Sequence, residues 1–219
     1  PKPQNPVSLK SIYNIIFSMP KLLLLLASVL SIASAIGNSL DNSTYANIEQ
    51  VISTHLSLDF SVDFDKKHFD GYVIHKMKVL QDNVNTIFFD MVGMSINFIT
   101  IRDSPSGYWY SVDSWNITSP KPAIGSALQV TTMHAYNTGD TFELKIFYTT
   151  NNKTTAISWM TPEQTACHTM PYLFTQCEDI ACRSVAPMQD TPAIKITYDS
   201  RVTVKSEFKV KMSANETNV

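Results

Sequence analysis

The feature that most constrains this chain is a strict two-residue alternation of apolar and polar side chains. Leu56, Leu58, Phe60, Val62 and Phe64 alternate with His55, Ser57, Asp59, Ser61 and Asp63. A strand places successive side chains on opposite faces, so this pattern describes a half-buried antiparallel strand. Asp65 to Gly71 reads as the turn that follows. Val73, His75, Met77 and Val79 then form the inward set of a second strand, where a histidine is more often a satisfied core or rim residue than a metal ligand. Ile87–Phe89, Ile96–Ile101, Leu128–Val130 and Phe142–Tyr148 are further strands, and Asn137–Asp140 is a turn. Val202, Val204, Phe208, Val210 and Met212 share one parity against Lys205, Glu207, Lys209 and Lys211, which reads as a last strand whose lysines protect an edge. Residues 103–126 hold Pro105, Gly107, Pro120, Pro122 and Gly125 and read mostly as loop and turn. Within them Tyr108, Trp109, Tyr110 and Trp115 crowd together, a pattern that more often packs a loop onto a sheet than forms a ligand platform. No amphipathic helical run occurs beyond residue 35, so the fold class is all-β, a sandwich or curved multi-sheet domain.

The front of the chain has another character. Residues 19–35 read MPKLLLLLASVLSIASA, with Lys21 as a positive flank, an apolar stretch of h-region length and a small-residue cleavage pattern at Ala33-Ser34-Ala35. That combination predicts a signal peptide and is short for a membrane span, which needs about 20 apolar residues. Met19 is the first methionine, so residues 1–18 are set aside as an uncertain extension and residues 36–49 as a linker. Four sequons follow, at Asn42, Asn116, Asn152 and Asn215. Behind a signal segment they predict N-glycosylation and a secretory, extracellular or membrane-associated protein, with a cytoplasmic one as the alternative if that segment is not a true leader.

Other classes find no support. The formal charge of −2 and the lack of a dense basic patch argue against nucleic acid as a partner. No nucleophile elbow, phosphate-binding loop or dinucleotide fingerprint is present. The cysteines are Cys167, Cys177 and Cys182, an odd number that leaves one free or paired elsewhere. Their spacing leaves a Cys177–Cys182 bridge open, and small buried thiols are the default reading. The adjacency of Cys167 and His168 does not by itself make a catalytic pair.

The longest irregular stretch lies between strand-like Ile157–Trp159 and Ile194–Tyr198. It is broken by Pro162, Pro171, Pro187 and Pro192 yet holds aromatics and all three cysteines, so it reads as an ordered functional connection. Its segments WMTPEQT, PYLFTQCEDIACR and MQDTPAIKITY resemble the matching stretches of zinc aminopeptidases of the aminopeptidase N and leukotriene A4 hydrolase type. A fainter likeness extends upstream to His55–Phe64, so the resemblance covers residues 50–212 and only the amino-terminal domain of such an enzyme.

The resemblance implies a saddle-like set of β-sheets whose concave side caps a neighbouring catalytic domain. It implies zinc in that domain, held through HExxH and a downstream glutamate. The five histidines here include no pair four apart, so no metal site is expected within these residues. Residues 213–219 would begin the connection to the catalytic domain, and a fragment or truncated product is expected. The resemblance also makes Gln176, Cys177 and Glu178 the substrate-binding segment. Glu178 would hold a peptide's free α-ammonium group, Gln176 the nearby peptide, and Cys177 would act mainly through its backbone. Taken alone, Glu178 would read as an ordinary surface carboxylate. A glutamate rather than a glutamine at this position tilts toward peptide amino termini and away from epoxide hydrolysis. Asp179 departs from the family's small residue or proline. Arg183 and Asp190 read as structural, Arg183 bridging carbonyls or a carboxylate under the loop and Asp190 capping a turn. The rival reading is a secreted, non-catalytic glycoprotein that keeps the domain as a binding module.

Overall fold

The structure is a computed structural model that describes residues 41–217. The predicted signal segment and the uncertain extension lie outside the described residues, as do residues 36–40 of the linker. Among the described residues eleven strands run in chain order: β1 (Val51–Asp63), β2 (His68–Val79), β3 (Val84–Met91), β4 (Met94–Arg102), β5 (Tyr110–Ser111), β6 (Ser114–Ile117), β7 (Ser126–Tyr136), β8 (Thr141–Thr150), β9 (Ile157–Met160), β10 (Tyr172–Thr175) and β11 (Thr197–Thr203). They form a six-stranded sheet in the order β11-β1-β2-β8-β4-β5, a three-stranded sheet β3-β7-β6, and a two-stranded hairpin of β9 and β10. This is an all-β domain of several sheets.

The alternation read in the sequence is what packs the large sheet. Leu56, Leu58 and Phe60 of β1, Val73, His75, Met77 and Val79 of β2, and Phe142, Leu144, Ile146 and Tyr148 of β8 all turn inward and are buried. They meet Ile87, Phe89, Leu128 and Val130 from the three-stranded sheet in one contiguous core. β1 also buries Val51 and Ser53, which have the opposite parity. A bulge between Ser53 and His55 reconciles the two sets, because one unpaired residue flips every later side chain to the other face.

His75 is fully buried, as its parity requires, and satisfied at both ring nitrogens. Ser53 Oγ lies 2.9 Å from Nδ1 and the Pro187 carbonyl 3.0 Å from Nε2. Burial pushes its pKa from the ordinary 6.5 down to about 4.

Four sequence expectations need correction. The turn after β1 is tighter than read: β2 already starts at His68, and Lys67 takes the positive φ of 55°. Gly71 therefore lies inside β2, opposite Phe60, where the strands approach so closely that a Cβ would fall 2.1 Å from the Asp59 carbonyl oxygen. The last strand both starts and ends earlier than its parity suggested. β11 spans Thr197–Thr203 and lies parallel to β1. Beyond it the chain turns, with Phe208 N donating to Lys205 O at 3.0 Å, and Phe208 stacks on Phe64 with ring centroids 4.1 Å apart. Stacking, not sheet pairing, is what its apolar parity serves, and Lys205, Lys209 and Lys211 guard no strand edge. Finally, residues 103–126 contribute two short strands, because β5 pairs with β4 and β6 with β7. Trp109 in that region is held over the sheet by Arg102, whose guanidinium lies 4.6 Å from its ring centroid, so the aromatics do not form one platform.

Candidate functional site

The segment Gln176-Cys177-Glu178 emerges directly from the small hairpin. β9 and β10 pair from Tyr172–Met160 to Thr175–Ile157, and Gln176 N extends the ladder by donating to Ala156 O at 2.8 Å. The chain then folds back on itself. Ala181 N donates to Cys177 O at 2.8 Å, bringing Cys177 and Cys182 to a Cα separation of 4.4 Å, and the two are joined in a disulfide. The default of buried thiols is thus overturned. The turn places the cysteines within bridging range, and Cys167 alone is free and exposed.

The bridge closes a small ring around Glu178, Asp179, Ile180 and Ala181. Both carboxylate residues are exposed. Their surroundings differ. Asp179 lines a cavity of about 380 Å³ shared with Lys121, Ile180, Val92 and Arg183, whereas Glu178 does not line it. Among the described residues neither carboxylate has a hydrogen-bonded or ion-paired partner. Gln176 is also exposed and Cys177 half-buried, so the ring presents Gln176 and Glu178 to solvent.

Beneath the ring a short 3-10 turn, Cys182–Ser184, carries the anchor. Arg183 is 1% exposed. Its Nε donates to Asp190 Oδ2 at 3.1 Å, Nη1 to Ile124 O at 2.8 Å, and Nη2 to Ser43 O and Asp190 O, each at 2.7 Å. The bridging of carbonyls and a carboxylate matches the structural role read for Arg183. Asp190 differs from its reading: its carboxylate accepts from Arg183 N and Nε and caps no following turn. Ser184 Oγ accepts from Ala156 N at 2.8 Å and donates to Ala181 O at 2.8 Å, tying the turn to the start of β9.

Asp90 on β3 completes the anchor, and sequence reasoning passed over it. It is fully buried, accepts from Tyr45 N at 2.7 Å, Asp190 N at 3.1 Å and the Thr44 hydroxyl, and faces Arg183. Burial pushes its carboxyl above the usual range, against the pull of these donors and of Arg183. A lone carboxylate in the apolar run Ile87-Phe88-Phe89-Asp90-Met91 was the available signal.

Groups with hydrolytic potential do not converge. His55 contacts Asp199 at 2.7 Å and Thr197 at 2.8 Å, while His134 lies 3.6 Å from Asp103. Among the described residues no three His, Cys, Asp or Glu side chains come together to hold a metal ion, so the donor set for zinc is not found among them. Cys167 has its thiol pKa drawn down to about 6 by the Thr165 and Thr169 hydroxyls, but His168 turns its Nδ1 to Glu163 O at 3.1 Å instead of to the sulfur. The asparagines of all four sequons, Asn42, Asn116, Asn152 and Asn215, are exposed.

A second surface feature borders the hairpin. An apolar groove of about 500 Å³ runs between Phe60 and Val62 of β1, Leu173 of β10, and Val204, Phe208 and Met212. Tyr172 and Phe174 on its flank are 56% and 43% exposed.

Comparison with known proteins agrees with this arrangement. Leucine aminopeptidase 2 of Aspergillus niger is 34% identical over 163 residues, covering 74% of this chain and 25% of that protein. Its namesake in Aspergillus oryzae is 32% identical over 172 residues, covering 78% and 27%. The chain thus spans about a quarter of the length of the curated relatives it matches. Native leukotriene A4 hydrolase from Saccharomyces cerevisiae superposes with a TM-score of 0.67 at 28% identity, over 80% of this chain and 27% of that one. An M1 zinc metallopeptidase from Deinococcus radiodurans shares the fold, with a TM-score of 0.57 at 17% identity over 77% of this chain and 36% of that one. The model for the Peptidase M1 N-terminal domain matches residues 52–218, from the second residue of β1 past the end of β11, and the chain therefore belongs to the Peptidase M1 N-terminal domain family.

Proposed function

We propose that this domain is the substrate-recognition part of a zinc aminopeptidase, and that Glu178 grips the free α-ammonium group of a peptide. The observation that carries the reading is the state of Glu178: an exposed carboxylate, unpaired among the described residues, on a ring closed by a disulfide and seated on a buried arginine. The disulfide restrains the backbone that carries Glu178, which lowers the freedom lost on binding. A charge-assisted hydrogen bond from an ammonium group then contributes roughly 1.5–3 kcal/mol. Gln176, one residue beyond β10, offers an amide to the peptide, and Cys177 contributes backbone. Zinc and the hydrolytic groups would belong to a catalytic domain that this one caps, a reading supported by membership of the Peptidase M1 N-terminal domain family and by relatives about four times as long.

The test grafts this domain onto the catalytic domain of the Saccharomyces cerevisiae hydrolase in place of its own. Glu178→Gln should raise KM for peptides with a free amino end by roughly ten- to hundredfold, with kcat less affected. An unchanged KM overturns the assignment.

The secretory reading also belongs here. Its support is the signal-like composition of residues 19–35 together with four sequons whose asparagines are exposed, a pattern that fits a secreted glycoprotein. A second reading, a secreted binding module without activity, draws on the groove beside Tyr172 and Phe174, since an exposed apolar surface of that kind calls for a partner. A native mass far above 24.5 kDa before glycan is counted favours the enzyme; one close to it favours the module.

A further inference from the structure

We propose that Asn116 carries an N-linked oligosaccharide that closes the open edge of β6 against pairing with another strand. β6 is the last strand of the sheet β3-β7-β6, and among the described residues nothing pairs with its outer side. Its four residues, Ser114-Trp115-Asn116-Ile117, contain no charge and no proline. An uncharged edge strand with free backbone groups is a template for aggregation, which proteins usually blunt with lysine, proline or a covering element.

The side chains make this edge worse than average. Trp115 pairs with Val130 and Ile117 with Leu128, both fully buried on the core side of β7. Trp115 and Ile117 therefore carry the core out to the sheet margin, where they remain 38% and 41% exposed. A strand added alongside β6 would bury both. Asn116 sits between them, pairs with Gln129, and projects to the opposite, solvent face. A bulky, strongly hydrated glycan there would obstruct an approaching strand without disturbing the core side.

The sequon threonine fixes when the sugar is added. Thr118 Oγ1 accepts from Ala127 N at 2.9 Å, and Thr118 N donates to Ala127 O at 3.0 Å. Both groups are committed once β6 pairs with β7, so attachment precedes that pairing and the edge is shielded from the moment it forms.

The inference rests on the secretory reading of residues 19–35, and the experiment separates the two. The full chain is produced in a eukaryotic secretory host. Glycopeptides are mapped by mass spectrometry, and association state is measured by size exclusion with light scattering. The expected result is a glycan on Asn116, a monomer for the parent and for Thr118→Ser, and self-association for Asn116→Gln. Asn116→Lys, which lacks the sugar but supplies an edge charge, should be monomeric again, and that rescue separates edge protection from a folding defect. Modification of Asn42, Asn152 or Asn215 with Asn116 bare overturns this inference and leaves the secretory reading standing. A chain with no sequon modified overturns both. A glycan on Asn116 whose removal by Asn116→Gln leaves a monomer overturns the protective role.

Discussion

Asp90 and Arg183 face each other in the interior, with Asp90 Oδ1 3.7 Å from Arg183 Nη1 and neither side chain reaching solvent by more than 1%. The pair is separated by 93 positions in the chain, and between them they hold Ser43, Thr44, Tyr45, Ile124 and Asp190. Removing one member of a buried ion pair strands the other charge, at a cost of about 3–5 kcal/mol. Arg183→Met should therefore destabilise the domain by that amount in urea unfolding. A loss below about 1 kcal/mol would mean that the carboxylates are carried by their neutral donors alone.

His75 predicts a pH dependence. Its folded pKa of about 4 lies below the ordinary 6.5, so the neutral ring is favoured by folding. Its stabilising contribution is complete above pH 6.5 and is lost as pH falls toward 4, because the unfolded chain takes up the proton first. From this group alone the domain should lose about 2 kcal/mol between pH 7 and pH 5. His75→Gln should be less stable at pH 7 but flatter across that range. Parallel urea titrations at the two pH values check this, and equal slopes for parent and variant would refute it.

Gly71 is a packing constraint. A Cβ there would meet the Asp59 carbonyl oxygen at 2.1 Å and Phe60 Cα at 2.6 Å, both backbone atoms that cannot step aside without moving β1. Gly71→Ala should cost about 1–3 kcal/mol, by analogy with overpacked cores, and shift the amide resonances of Asp59 and Phe60. Gly139→Ala is a control for space alone, since nothing lies within 4 Å of its added Cβ. Its positive φ of 92° still imposes a smaller backbone cost.

The disulfide encloses a short loop, so its contribution from chain entropy is modest, about 2 kcal/mol. The double variant Cys177→Ser, Cys182→Ser should stay folded, since Arg183 and Ser184 still pin the turn. Amide exchange at Glu178–Ala181 should accelerate more than at β9. A uniform acceleration across the domain would show that the bridge supports the fold rather than the ring.

The strands of the large sheet were readable because their inner faces are apolar in strict alternation, and β1, β2 and β8 fall where that pattern puts them. The bulge at Ser53/His55 was not readable, since one extra residue leaves each half of the alternation intact. Parity misled beyond Thr203 because alternating side chains also suit a turn that stacks on Phe64. Gly71 resembled a turn residue because glycine marks turns and close strand contacts alike. At the candidate loop the residue types were legible. What holds them was not, because the Asp90–Arg183 contact joins positions far apart in the chain.

β11 lies alongside β1 in parallel, pairing His55 with Thr197 through Ser61 with Thr203. A polypeptide leaving the ribosome exposes β1 first and must wait for more than a hundred further residues before that flank is covered. Until then β1 offers an unclaimed margin, and folding is paced by an encounter between distant parts of the chain. The ring closed by Cys177 and Cys182 is synthesised just before β11, so it emerges while that margin of β1 is still open.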